Sequence, residues 1–314
     1  AGASHGISWS ILIARWFRRL RGRAMGIGMS GPMFGGLFVI PNAALVVEFG
    51  WRPVLFGYGI VVMLGIFLMG LVAQNRPGDM GLRPDGEPYL DSTAGSGPGN
   101  GDSYQVEPGL RPLEILKTRD FWVLVTFLGS ASIGSSAFGV HQLALFEDLG
   151  FSSGSAATTV ALVAFLSGAG RMGGGALIDF LDYRLVLVIL SSLMSFAYFY
   201  LALIPITSFA STLPFIVAFG IAFGAVIPLR PLLGSLLFGT RSMGTLIGML
   251  QAGVVLEGAV GPLIMGYVYD KTNSYDISLW ILGVLPWVPI PLLFLMKPHA
   301  KLPFSARNKT ADEA

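Results

Sequence analysis

Charged side chains vanish from this chain for about twenty residues at a time and then return in short clusters, the length needed to cross a bilayer core as a helix. Eight such runs can be bounded, at residues 24–47, 53–73, 121–146, 153–170, 185–206, 213–238, 243–269 and 277–296. Only two groups charged at neutral pH interrupt them, Arg230 and Glu257. Each run is apolar all round, which predicts lipid-embedded helices. A ninth run, 1–17, is too short to span and reads as the remainder of a helix whose beginning is missing.

The pattern lapses once. Between 74 and 118 the chain turns to Gly, Pro, Ser and acidic residues, as in "NRPGDMGLRPDGEPYLDSTAGSGPGNGDSYQVEPG". So little apolar content predicts a flexible linker. The expected organisation is a first part at 1–74, a disordered linker at 75–118, a six-helix part at 119–297 and a polar tail at 298–314.

Orientation follows from the basic residues. With the arginine-rich turn at 18–23 placed in the cytoplasm, 17 of the 20 Lys and Arg fall inside, Arg52 and Lys271 fall outside, and Arg230 lies within a span. The opposite threading inverts that ratio, against the positive-inside rule. A plasma (cytoplasmic or inner) membrane, with linker and C-terminus in the cytoplasm, is therefore expected. Composition agrees: 53% of residues are hydrophobic and 12% charged, half of what a soluble globule carries. Without cysteine, and with only His5, His141 and His299, the chain offers no local metal cluster and no thiol chemistry. No GxxxxGK[ST] loop occurs, which speaks against ATP-driven pumping. No cofactor, no enzymatic activity and no nucleic-acid partner are expected.

Shifting the chain by 218 residues aligns Arg23-Ala24-Met25-Gly26 with Arg241-Ser242-Met243-Gly244, each closing a basic turn and opening a span. Under that offset the parent architecture has six plus six helices, and this chain holds the last eight and part of a ninth.

Three motifs then carry a resemblance. "GPMFGG", containing Gly31, Pro32, Gly35 and Gly36, gives a smooth, kinked helix face suited to close packing. "GRMGGGALIDFLDYR" at 170–184 supplies Arg171, Gly175, Leu177, Asp179 and Arg184 in a G-x-L-x-D-x-x-x-x-R spacing, with Asp182 where the pattern has glycine. "MGLRPDGE", "RDFWVL", "FGTRSMGTLIG" and "GPLIMGYVYDKTNSY" form a third set. Together these resemble the major facilitator superfamily, and within it the monocarboxylate-porter and oxalate/formate-exchanger branch. The resemblance implies an all-α membrane fold of two six-helix halves that rock to give alternating access. It also implies that Arg171, Gly175, Asp179 and Arg184 gate the cytoplasmic side, Asp179 docking on the positive N-terminal end of the helix that opens at Arg23. A plain solvated turn is the alternative.

Ionisable groups within a span are costly and mark candidate sites. Arg230 lies in "AVIPLRPLLGS", where Pro228 and Pro231 each free a backbone carbonyl and predict a bent or broken helix. Its planar guanidinium matches a carboxylate, with structural pairing or snorkelling as alternatives. Glu257 in "QAGVVLEGAVGP" is flanked by Gly253 and Gly261, so a second helix can approach; it is a candidate proton carrier, alone or as counter-ion to Arg230, or else a structural group. His141, toward the outer end of its span, is a weaker candidate for the substrate path. The expected function is transport of a small organic anion by proton symport or anion exchange, the partners being lipid, that anion and a proton, and the chain acting as a monomer. Proton-coupled drug efflux, or a non-transporting remnant, are the alternatives.

Overall fold

A computed structural model describes residues 2–31, 33, 39–74, 77–86 and 109–296. It is built of helices: α1 (Gly2–Trp16), α2 (Arg21–Gly28), α3 (Val39–Phe49), α4 (Trp51–Val72), α5 (Pro112–Lys117), α6 (Arg119–Asp148), α7 (Ser153–Phe180), α8 (Tyr183–Leu203), α9 (Phe209–Phe238), α10 (Met243–Thr272), α11 (Asp276–Val284) and α12 (Ile290–Leu293). Among the described residues seven helical segments are long and apolar enough to cross a membrane. The protein is a multi-pass integral membrane protein.

The eighth expected span, 24–47, is divided between α2 and α3, and part of it lies outside the described residues. Helix α2 stops at Gly28 and the chain at 29–31 is not helical, where a kinked but continuous span was expected; the physical reason is that Pro32 disfavours the helical conformation of its predecessor. Pro32, Gly35 and Gly36 lie outside the described residues; a side chain on Gly31 would meet open space. The last span is likewise interrupted, by a 3-10 turn at Leu285–Trp287 between α11 and α12, where Pro286 and Pro289 withdraw backbone donors.

One boundary needs correction. The expected span at 153–170 continues as helix to Phe180, so "RMGGGALIDF" is the last part of α7 and the turn to α8 is only Leu181 and Asp182. Glycine weakens an isolated helix, yet in lipid it lets backbones touch, and that contact outweighs its propensity cost. A Cβ on Gly170 would strike the Ile221 backbone, one on Gly174 would strike Ala225, and one on Gly224 would strike Ser167. Helices α7 and α9 therefore mesh backbone to backbone.

Helix α9 also runs unbroken through Pro228 and Pro231, against the expected break. Around it packs an aromatic core: Phe138 lies 5.0 Å from Phe215 and 4.7 Å from Phe219, ring centre to ring centre, and Phe219 lies 5.6 Å from Tyr198. Helix α4 contains no buried residue, so its apolar surface is turned outward along its whole length.

Of the expected linker, 87–108 lies outside the described residues. Its described ends are ordered: 3-10 turns at Pro77–Met80 and Pro84–Gly86, and α5, whose Ile115 is fully buried.

Candidate functional site

Three of the four residues assigned to the gate, Arg171, Gly175 and Asp179, converge where α7 meets α2. The Gly22 and Arg23 amides, at the start of α2, donate to the two oxygens of Asp179 at 3.1 and 3.0 Å. Those amides have no partner within their own helix, and the helix dipole adds to the attraction for a carboxylate. The contact is this close because glycines face each other: Gly22 and Gly175 each abut the other's carbonyl, leaving no room for a Cβ on either. One turn along, Gly26 rests on the Arg171 backbone, and the Arg171 side chain donates to the Met29 carbonyl at 2.9 Å, closing the C-terminal end of α2. Arg23 adds its guanidinium over the Phe180 ring at 4.6 Å and stands 3.9 Å from Asp179.

Arg184 is elsewhere. It reaches the Met296 carbonyl and the Tyr183 hydroxyl, tying the start of α8 to the end of the last helical segment. Asp182, in place of the motif's glycine, is the N-cap of α8 and accepts from the Arg184 amide at 2.8 Å, so the turn needs no glycine there.

Glu257 faces α6. Its carboxyl fills the space that a side chain on Gly129 would take, and its Oε2 is buried without a hydrogen-bond partner. The register that puts it there is held by two serines of α6. Ser132 donates to the Val254 carbonyl at 2.9 Å, and Ser136 donates to the Gly258 carbonyl. Pro262 explains the second bond: it lacks the N–H that would have reached Gly258, and Ser136 repairs the vacancy.

Arg230 is held within α9 with its Nε buried and unpartnered. Among the described residues no ion pair joins it to Glu257, so the counter-ion option is not realised in this conformation. His141 has both ring nitrogens engaged, with the Pro262 carbonyl at 3.2 Å and the Tyr275 hydroxyl at 3.4 Å. A carbonyl only accepts, so Nε2 donates to Pro262, and the Tyr275 phenol is a donor within reach of Nδ1. Burial, then Tyr269, Asp148 and Asp270, raise the Tyr275 phenol above its ordinary range, which keeps that donor protonated.

A glycine-lined helix contact capped by a carboxylate, in a bundle of membrane helices, is the arrangement that the sequence motifs implied. Comparison with known families decides its identity: residues 1–262 match the Major Facilitator Superfamily. The chain belongs to the Major Facilitator Superfamily. Among curated proteins it is similar to monocarboxylate transporter 12 of Rattus norvegicus, 27% identical over 297 residues that cover 87% of this chain and 59% of the relative. The probable sulfoacetate transporter SauU of Cupriavidus necator is 27% identical over 286 residues, 84% of this chain and 62% of the relative. Monocarboxylate transporter 11 of Homo sapiens is 25% identical over 308 residues, 90% and 59%. The chain thus spans about three fifths of the length of the relatives it matches.

Within this superfamily member, sequence reasoning passed over two residues of the α2–α7 corner. Arg21 was grouped with its exposed neighbours in the basic turn, yet it is 6% exposed and donates to the Phe17 and Ala14 carbonyls and to Ser235 of α9. Asp85 was assigned to the linker, yet its carboxylate accepts from the Arg18 and Arg19 amides. The only hint of either in the sequence is the pairing of an arginine-rich turn with a Pro-Asp-Gly.

Proposed function

We propose that this protein is a secondary active transporter of a plasma membrane, with the 18–23 turn and the linker on the cytoplasmic side, that carries a small organic anion by proton symport or anion exchange through rocking of two helical halves. In this reading Arg230 binds the carboxylate, Glu257 carries the coupling proton, and the Asp179–α2 contact, flanked by Arg171 and Gly175, closes the cytoplasmic gate. No covalent chemistry takes part.

The observation that carries the reading is the buried, unpartnered Nε of Arg230 within a helix long and apolar enough to cross a membrane. A group so expensive to bury, next to two prolines that free carbonyls, answers to a charged passenger better than to packing. The relatives agree in kind: monocarboxylate and sulfoacetate, the cargoes in their names, both carry a carboxylate. Glu257 lies against Gly129 with no ion pair to Arg230 among the described residues, which supports giving the two groups separate roles.

The test is uptake by the full-length protein in vesicles. Lactate-, formate-, oxalate- or sulfoacetate-like anions are expected to compete for transport. Arg230→Ala should abolish anion uptake and Arg230→Lys restore part of it, because lysine keeps the charge and loses the fork. Glu257→Gln should remove substrate-driven proton uptake. Competition by lipophilic cations instead of anions, or coupling unchanged in Glu257→Gln, would overturn the assignment.

A further inference from the structure

The motif "MGLRPDGE" has no role in the function proposed above. With the three residues before it, its described part forms two tight turns, Pro77–Met80 and Pro84–Gly86, with Pro77 buried and Gly81, Asp85 and Gly86 all in the left-handed region at φ +69, +66 and +77. For a residue with a side chain that conformation is uncommon, and aspartate tolerates it better than most. Here it aims the carboxylate of Asp85 at the turn between α1 and α2. The Arg18 amide lies 3.2 Å from both oxygens and the Arg19 amide 3.0 Å from Oδ2. Nearby, the Trp16 indole donates to the Gln74 carbonyl at 3.0 Å, fixing the end of α1 to the segment that leads into these turns.

The short stretch 18–23 is therefore gripped twice. Asp85 takes the amides of Arg18 and Arg19, and Asp179 takes those of Gly22 and Arg23. The two clamps differ in what they connect. Asp179 reaches across from α7, so its bonds must part if α2 and α7 separate. Asp85 follows α4 in the chain and needs no such parting. A carboxylate on two consecutive amides sets the peptide planes of the turn, and these planes determine where the next amides point.

We infer that Asp85 is a positioning residue for the cytoplasmic gate: by holding the Arg18 and Arg19 amides it presents Gly22 and Arg23 to Asp179 and favours the closed cytoplasmic side. The inference rests on the reading of the Asp179–α2 contact as that gate. Its charge opposes that of Asp179 across the same turn, so the direction of the effect is a real test of positioning against repulsion.

The chain has no cysteine, so labels can be placed at will. In the full-length protein in nanodiscs, spin labels at Ile27→Cys on α2 and Phe165→Cys on α7, both exposed, report the separation of the two helices. Asp179→Asn should raise the population with widely spaced labels. Asp85→Gly, which suits the left-handed turn and removes the carboxylate, should raise the same population about three- to tenfold, in proportion to one weakened charge-assisted bond. Asp85→Asn keeps the turn and one acceptor oxygen and should fall between. Asp85→Gly added to Asp179→Asn should open the helices no further, because it acts through Asp179.

Opening by Asp179→Asn with no change in either Asp85 variant overturns the positioning role and leaves the gate intact. Additive opening in the double variant, or a more closed population in Asp85→Gly, also overturns it. No opening by Asp179→Asn removes the gate and the inference together. A monodisperse elution profile for each variant, matched to the parent, separates these outcomes from misfolding.

Discussion

Alanine in place of Gly175 would put a Cβ 2.2 Å from the Gly22 carbonyl oxygen. Ordinary contact begins near 3.4 Å, and the opposing atom is backbone, so α2 and α7 must move apart by about 1 Å. The Asp179 bonds to the Gly22 and Arg23 amides, 3.1 and 3.0 Å long, would stretch to about 4 Å, beyond hydrogen-bond range. Bonds to a charged acceptor contribute about 1.5–3 kcal/mol each. Solvent at the Arg23 side, and the attraction that survives at the longer distance, reduce the combined loss to about 2–3 kcal/mol. That corresponds to roughly a thirty- to 150-fold shift toward separated helices. The same helix supplies the control: a Cβ on Gly173 meets nothing within 4 Å. Gly173→Ala should be neutral or stabilise α7 by about 0.5–1 kcal/mol through helix propensity. Label distances between α2 and α7 in the two variants decide the matter. If Gly175→Ala leaves them as close as Gly173→Ala does, the glycine contact does not hold the carboxylate in place.

Arg21→Met keeps the length of the side chain and removes donors to Phe17, Ala14 and Ser235, so thermal unfolding should show a loss of about 2–3 kcal/mol, while Arg21→Lys, a point charge without the fork, should recover only part. Gly129→Ala would evict the Glu257 carboxyl from its notch; substrate-driven proton uptake should fall about ten- to hundredfold, as for a misplaced reacting group, and Glu257→Asp in the same protein should restore some of it by shortening the side chain.

The spans were legible because lipid imposes a local rule: a helix must satisfy its own backbone and present about twenty apolar residues, both readable from consecutive positions. Helices α6, α8, α9 and α10 accordingly lie within a few residues of their expected bounds. Helix α7 was misjudged at one end because Arg171 and the glycines after it resemble a turn in isolation, and only contact with α2 and α9 makes them helical. The break of α2 before Pro32, by contrast, follows a rule between neighbours that can be applied without any structure.

The candidate site divides along the same line. Sequence alone determined that Arg230 and Glu257 are the groups charged at neutral pH inside the spans, that basic residues collect at one end, and that an aspartate stands four residues after a glycine in a turn-like motif. Each of these is a matter of identity and spacing. Tertiary structure decided that Asp179 meets amides 157 and 156 positions away, that Glu257 settles on Gly129, that Arg184 turns to Met296, and that Arg21 is buried while Arg18, Arg19 and Arg23 are exposed. Such contacts depend on which helix faces approach and how closely. That is set by small residues on two distant segments acting together, and neither segment carries the information by itself.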